Sequence, residues 1–406
     1  MRILFIASGF LPEISSEGLC NAKLVWALKE AGIEVDVISK IDNPSVSWHE
    51  KWQPLKSSTT TIQYPLGNKI WRTLDILKSG IRLGFNFQPG IRWARRALEQ
   101  ADKLITQNHY DAMLTRSPND ITHLVGYYLK KKHQKLKWIA NWNDPAYTIW
   151  PHPYGNFYTK KEQVRLEKLT ESLLKAADIN TFPCRHLQDH FFNHFPSVAK
   201  DNSLVIPHIG IPSSLMRKPD IKRISNKLRF LHSGVISGRN PENLFIALRR
   251  IIDEGFDNFE MHVMGRKDEV TSHLIGKYRL QNQVKCIGNF HYFEAVSKMF
   301  EYDILVLLEA LLEKGIFFAS KTADYAYTQL PVFAISPKDG FAKDLIDSYG
   351  GYFADNKSSD AIYDTLSKII TDFKEGRLEN SSSKKIADFC SPHKVIEIYA
   401  NIISIK

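Results

Sequence analysis

The sequence has no long apolar run. Its most apolar stretch beyond the opening strand, Ile304 to Phe318, is interrupted by Glu309, Glu313 and Lys314. Nowhere do about 18 apolar residues follow without a break, so no segment reads as a membrane span. The opening run Ile3-Leu4-Phe5-Ile6-Ala7 is too short for a signal h-region and meets no small-residue cleavage site, so a leader is not expected. Cysteine is scarce: Cys20, Cys184, Cys286 and Cys390 stand far apart, with no Cys-x-x-Cys pair. That spacing suggests neither a zinc site nor a disulfide framework and suits a reducing compartment. Acidic residues are in deficit, 44 against 54 Lys and Arg, for a net charge of +10. Such a surplus favours a polyanionic partner: nucleic acid, an anionic membrane or a phosphorylated substrate. Disorder needs fewer apolar residues than the 43% present, and no repeat at solenoid spacing occurs. At about 150 residues per domain, 406 residues predict two or three domains.

The signatures of several chemistries are absent too. There is no H-E-x-x-H, no G-x-S-x-G and no G-x-x-x-x-G-K-[ST] phosphate loop. There is no Asp-x-Asp, which many nucleotide-sugar enzymes use to hold a divalent ion on a diphosphate. The loop after the first strand is not G-x-G-x-x-G, which counts against ordinary NAD binding. What remains is a phosphate site made of helix N-termini and basic side chains.

What is present is one opening move made twice. Arg2 to Ala7 is a short apolar run of the kind expected for a buried parallel strand. Ser8 to Pro12 breaks it, Ser15-Ser16-Glu17-Gly18 reads as a small-residue loop, and a helix follows from Leu19 with Leu24, Val25 and Leu28 on one face, ending near Gly32. Glu34 to Ile38 is the next strand. The move recurs at Leu228 to His232, with the loop Ser233 to Arg239, a helix opened by Pro241, and a strand at Phe259 to Gly265. Strands and helices alternate onward through Val284 to Gly288, Asp303 to Leu308 and Pro331 to Ile335. Two doubly wound α/β domains facing a central cleft are expected, joined by a Pro- and Gly-containing linker near residues 205–225. Ligands of open α/β sheets bind at the carboxyl ends of the strands.

The residues with chemistry to offer sit at such ends. Ser320 reads as the N-cap of a helix through Ala323-Asp324-Tyr325, so free backbone amides should point outward from its first turn. A diphosphate there would gain the positive helix end, with Lys321 or Arg239 neutralising the rest of its charge, while Asp324 accepts ribose hydroxyls one turn on. The same letters also make an ordinary capped helix start, and Arg239 is equally a solvated loop arginine. Asp144, in Asn141-Trp142-Asn143-Asp144-Pro145, is either a turn initiator or a site residue. His208 reads as a hinge residue rather than a catalytic one.

On these residues the chain resembles the GT-B fold glycosyltransferases, specifically retaining enzymes like family 4. Phe10-Leu11-Pro12-Glu13 resembles the family's F-x-P-E loop, whose following glycine meets the donor; Gly18 is the candidate. Ala177-Asp178-Ile179-Asn180-Thr181 resembles its A-D-x-[IV]-[IT] strand, and Val205-Ile206-Pro207-His208-Ile209-Gly210 its V-I-P-N-G segment with His208 for Asn. Ser320-Lys321-Thr322-Ala323-Asp324-Tyr325 with Pro331-Val332 resembles the P-S-K-x-x-E-Y…P-[IV] segment of bacterial polysaccharide transferases. Asp stands there for the ribose-binding Glu and Ala319 for Pro, and the E-G-F-G-x-x-x-x-E form is missing. The resemblance implies transfer of a sugar from a UDP- or GDP-linked donor to a glycan or lipid-linked acceptor, with retention and without a metal or other cofactor. It implies a nucleotide-sugar site of Gly18, Gly234, Arg239, Gly265, Ser320, Lys321 and Asp324, with Asp144 on the acceptor side. The expected domains are 1–205 for the acceptor, 206–385 for the nucleotide, and 386–406 as a terminal helix crossing back to the first. A nucleotide-sugar epimerase of the same fold and a non-catalytic binding partner of another transferase are the alternatives.

Between Leu66 and Arg96 stand Lys69, Arg72, Lys78, Arg82, Arg92, Arg95 and Arg96, with Asp75 the only acid and Trp71, Phe85, Phe87 and Trp93 interleaved. A second run comprises Lys130, Lys131, Lys132, Lys135 and Lys137. Basic residues mixed with aromatics suit an anionic membrane surface or a lipid-diphosphate acceptor. They equally suit a helix pair with solvated cations and core-facing aromatics. Nucleic acid is not expected, because no recognisable binding module accompanies them. The chain is therefore expected to be cytoplasmic, peripheral on the inner face of the plasma membrane where it contacts a bilayer.

Overall fold

The computed structural model describes residues 1–64, 67–117, 120–155, 158–220 and 226–404. Leu66, Ile405 and the 221–225 portion of the expected linker lie outside the described residues. The chain divides into two compact units, Met1–Trp150 with Tyr154–Pro212 and Pro392–Lys406, and Pro151–Pro153 with Ser213–Ser391.

The first unit is built on a parallel sheet of seven strands: β1 (Arg2–Ala7), β2 (Glu34–Lys40), β3 (Thr59–Ile62), β4 (Ala112–Arg116), β5 (Lys137–Asn141), β6 (Ile179–Phe182) and β7 (Ser203–Val205). Their order is β3-β2-β1-β4-β5-β6-β7. β1 and β4 are the sheet's centre, and past Arg2 every residue of both is buried, as strands covered on both faces must be. The first helix begins at Ser16, not Leu19. Ser15 is extended, with φ −135° and ψ 163°, and its Oγ accepts the Gly18 amide at 3.0 Å, so the supposed small-residue loop is a capped first turn.

Two expected boundaries move. Ile206 donates its amide to Phe182 O at 2.8 Å, and Ile206, Ile209 and Ile211 are buried, so the segment after β7 is part of the first unit down to Pro212. At the other end, residues 386–391 stay with the second unit, where Ile386 and Cys390 are buried. Only the helix Pro392–Ser404 belongs to the first unit. It buries Val395, Ile396, Tyr399 and Ile402, packs on the Ser16–Glu30 helix, and accepts Lys137 Nζ on the Ile402 carbonyl at 2.9 Å.

Much of the basic surplus serves internal structure. Arg92, Arg95 and Arg96 all converge on Asp75, at 2.6, 3.1 and 3.1 Å, so these arginines are neither solvated nor free for a membrane. Burial pushes Asp75 up, but hydrogen bonds from Arg92, Arg96 and Arg95 outweigh it and hold the carboxyl down at about 2. In the second run Lys130 pairs with Asp178 at 2.7 Å and Lys132 with Asp102 at 2.6 Å.

The second unit repeats the plan with six parallel strands: β8 (Leu228–Ser233), β9 (Phe259–Met264), β10 (Val284–Cys286), β11 (Ile304–Leu308), β12 (Val332–Ser336) and β13 (Tyr352–Asp355). Their order is β10-β9-β8-β11-β12-β13. Phe230, Met261, Val306 and Phe333 from the sheet meet Phe245, Leu248 and Ile369 from the covering helices in one core. Each sheet therefore reverses its winding beside its own first strand, between β1 and β4 and between β8 and β11. There the loops diverge and leave room for a ligand.

Candidate functional site

At the reversal point of the second unit, the ends of β8 and β11, a helix start and a turn deliver side chains to one place. Lys321, first residue of the helix Lys321–Thr328, donates from Nζ to the Ser233 carbonyl at the end of β8. The same Nζ stands 3.5 Å from His232 Nε2. His232 Nδ1 is 3.0 Å from the Val306 carbonyl; a carbonyl only accepts, so the ring proton sits on Nδ1 and the Nε2 lone pair faces the lysine. Burial, then the charges of Lys321 and Arg239, hold His232 well below its ordinary value, and the ring is neutral. Glu309, just past β11, is 3% exposed, and its Oε2 has no hydrogen-bond partner among the described residues. Burial pushes it up to about 7 against the pull of Arg239 and Lys321. Lys321 is brought down to about 7, first by burial and then by Arg239, with Glu309 opposing. The cluster holds two cationic side chains, a carboxyl at the edge of ionisation and a neutral imidazole. Its cationic charge is incomplete at neutral pH, and a bound polyanion would restore it.

The expected residues divide into those the geometry gathers and those it does not. Arg239, on the turn Ser237–Arg239, is half-buried and close enough to depress both His232 and Lys321. Gly234 has φ +110°, and a Cβ there would stand 2.9 Å from Lys321 Nζ. A Cβ on Gly265 would lie 2.7 Å from the Gly234 carbonyl carbon, so the end of β9 reaches the β8 loop only as glycine. Asp324 is half-buried and accepts Tyr292 Oη at 2.9 Å.

Ser320 departs from expectation. It occupies the N-cap position with φ −55° and ψ −30°, already helical, and makes no side-chain cap. The amides of Thr322 and Ala323 bond back to Ala319 O at 2.9 Å and Ser320 O at 3.2 Å. The first turn thus spends on itself two donors that the sequence reading assigned to a phosphate. Tyr325, fully buried, takes the Ser233 amide at 2.8 Å and donates to Val306 O at 3.2 Å, fixing this helix to the end of β8 and the middle of β11.

A second polar cluster lies at the reversal point of the first unit. Asn143 Nδ2 donates to Glu17 Oε1 at 2.6 Å, and Arg116, the last residue of β4, donates to Asn143 Oδ1 at 3.2 Å and Tyr399 Oη at 3.3 Å. Arg116 Nε has no hydrogen-bond partner among the described residues. Burial raises Glu17 to about 7, with Arg116 opposing and Asp144 adding to the rise, and burial raises Asp144 to about 6. Asp144 is therefore close enough to Glu17 to raise its carboxyl. Gly18 is buried in the same first turn as Glu17 and presents no open loop. His208 is buried within the first unit.

Sequence reasoning missed Glu17, Arg116, Asn143, Tyr399, His232, Tyr292 and Glu309. Three carried a usable signal: Arg116, His232 and Glu309 are polar residues at or just past the carboxyl end of an apolar run. Glu17 and Tyr399 carried none, since only the packed fold joins them. Among the described residues no group of three or more His, Cys, Asp or Glu could hold a metal ion.

No family profile matches the sequence, and no curated protein is detectably similar to it. Solved structures are. Anabaena HepE in complex with UDP superposes with a TM-score of 0.69 at 15% identity, covering 100% of each chain. Sucrose-phosphate synthase from Thermosynechococcus elongatus gives 0.68 at 14% identity, over 99% of this chain and 98% of that one. The chain has the GT-B fold. Staphylococcus aureus TarM, solved with UDP, fondaparinux and α-GlcNAc-glycerol, shares it at a TM-score of 0.64 and 10% identity, covering 100% of each chain. In this GT-B chain both polar clusters occupy the carboxyl edges of their sheets.

Proposed function

We propose that the chain is a glycosyltransferase that moves a sugar, with retained configuration and without a metal, from a nucleoside-diphosphate donor to a glycan or lipid-linked acceptor in surface-polysaccharide assembly. Peripheral attachment to the inner face of the membrane belongs to this reading. The carrying observation is the cluster at the ends of β8 and β11, where Lys321 Nζ meets the Ser233 carbonyl and lies 3.5 Å from His232 Nε2, with the buried Glu309 carboxyl and Arg239 close by. The sugar C1–O bond breaks with its electron pair on the diphosphate, whose growing charge Lys321 and Arg239 stabilise in a site largely screened from water. The acceptor oxygen takes that bond, and its proton leaves with the diphosphate. Asp324, held by Tyr292, takes the ribose, and Asp144 lies on the acceptor side. Complexes of HepE and Staphylococcus aureus MnaA with UDP make UDP the first nucleotide to test.

Calorimetric titration of UDP at pH 8, in buffers of different ionisation enthalpy, tests the site. A bound diphosphate raises Lys321, so binding should take up about one proton. Lys321→Met should abolish the uptake and weaken affinity at least about tenfold, or 1.4 kcal/mol. Uptake unchanged in that variant removes Lys321 from the site. With a UDP-sugar panel, transfer or donor hydrolysis that survives chelator supports the assignment. Isomerised donor without acceptor would mark an epimerase, and binding without turnover a non-catalytic partner.

A further inference from the structure

The helix Lys69–Arg82 is inside out. Its inward side is polar: Asp75 meets Arg92, Arg95 and Arg96, and Ser79 Oγ accepts Arg95 Nε at 3.2 Å. Its outward side is apolar. Ile70, Leu74, Leu77 and Ile81 recur at helical spacing along one stripe, with Trp71 beside it, and all five are between 48% and 71% exposed. Phe85, 63% exposed, extends the stripe beyond the helix end. A surface helix ordinarily turns such a stripe to the core. Here the buried ion cluster holds the helix by its polar side and leaves the apolar side uncovered.

The charges around the stripe identify what covers it. Lys69, Arg72, Lys78 and Arg82 are all exposed, and none has an ion pair among the described residues. The helix's one acid, Asp75, is turned inward. A second copy of the chain would set this patch against itself, opposing cation to cation with no acid between. An anionic bilayer answers both features: its headgroups receive the four cations and its acyl boundary the stripe, with Trp71 at the depth aromatic rings favour. We infer that the Lys69–Arg82 helix lies in the plane of an anionic membrane, its apolar stripe inserted about 5–10 Å. The arginines that sequence alone would assign to lipid hold the helix in this orientation instead.

Flotation of the full chain with phosphatidylcholine vesicles, with and without 30% (roughly physiological) phosphatidylglycerol, tests this directly. The chain should float with the anionic vesicles and not with the neutral ones, and tryptophan emission should shift to the blue in a Trp71-dependent way. Leu74→Ser combined with Leu77→Ser and Ile81→Ser alters only exposed positions of the stripe. It should cut the bound fraction at least about tenfold, as should Lys78→Gln with Arg82→Gln. Failure of the parent to float, or equal binding by the serine variant, overturns the inference. So does a concentration-dependent dimer in light scattering that the serine variant dissolves. UDP affinity should be the same in every variant, which keeps this result separate from the transferase reading.

Discussion

Asp144 is ionised at neutral pH at a cost to the fold. Burial lifts its carboxyl from the ordinary 3.8 to about 6, and Glu17 beside it rises to about 7. The folded chain then holds more protons than the unfolded one between about pH 4 and about pH 7. Stability is greatest below the unfolded value and falls as pH rises through the folded one. Asp144→Asn should remove the Asp144 share of that fall. With partial exposure discounted, the gain above pH 7 should be on the order of 1 kcal/mol, or about 2–4 °C in Tm, and should vanish below about pH 4. Scanning calorimetry from pH 4 to 8 checks it, and parallel curves for the two proteins would refute the burial argument. Transfer activity should fall in the same variant if Asp144 serves the acceptor. At this scale the residue types were legible as polar letters after apolar runs, as at His232 and Glu309. Their protonation was not, because it depends on burial and on charges remote in sequence.

Two serines show how an element's start is decided by backbone direction rather than by the letter. Ser15 caps because its extended backbone aims Oγ at the Gly18 amide, whereas Ser320 is already helical and cannot. The glycines divide the same way. Gly265→Ala would place a Cβ 2.7 Å from Gly234 C and 3.0 Å from Val235 N, both backbone atoms with little freedom to move. It should destabilise the second unit by about 1–3 kcal/mol and weaken UDP binding by displacing the β8 loop. Gly238→Ala meets nothing within 4 Å and serves as the neutral control. Equal melting of the two variants would show that the β8–β9 approach carries no strain. Strand and helix identity was readable because apolar runs and helical spacing are local. The orientation of the Lys69–Arg82 helix was not, since its stripe looks the same whether it faces core or solvent.

Across the whole molecule, the last helix closes the first unit. Ending the chain after Ser391 would remove the helix that packs on Ser16–Glu30, with its buried Val395, Ile396, Tyr399 and Ile402, and leave Arg116 without its tyrosine. Hydrogen exchange should then speed up in the Ser16–Glu30 helix and in β5, while β11 and β12 keep their protection. A uniform rise through both units, or none, would contradict that placement. The two winding patterns were available from the sequence, because a parallel strand covered on both faces is written as an unbroken apolar run and each βαβ turn follows it locally. By itself the sequence also determined which residue types wait at the strand ends. Only the tertiary structure decided which cations are spent on Asp75 and which stay exposed, where the first unit ends, and that Glu17, Arg116 and Tyr399 meet. Those outcomes are sums over contacts between distant segments, and burial and pairing energies exist only once those segments are packed.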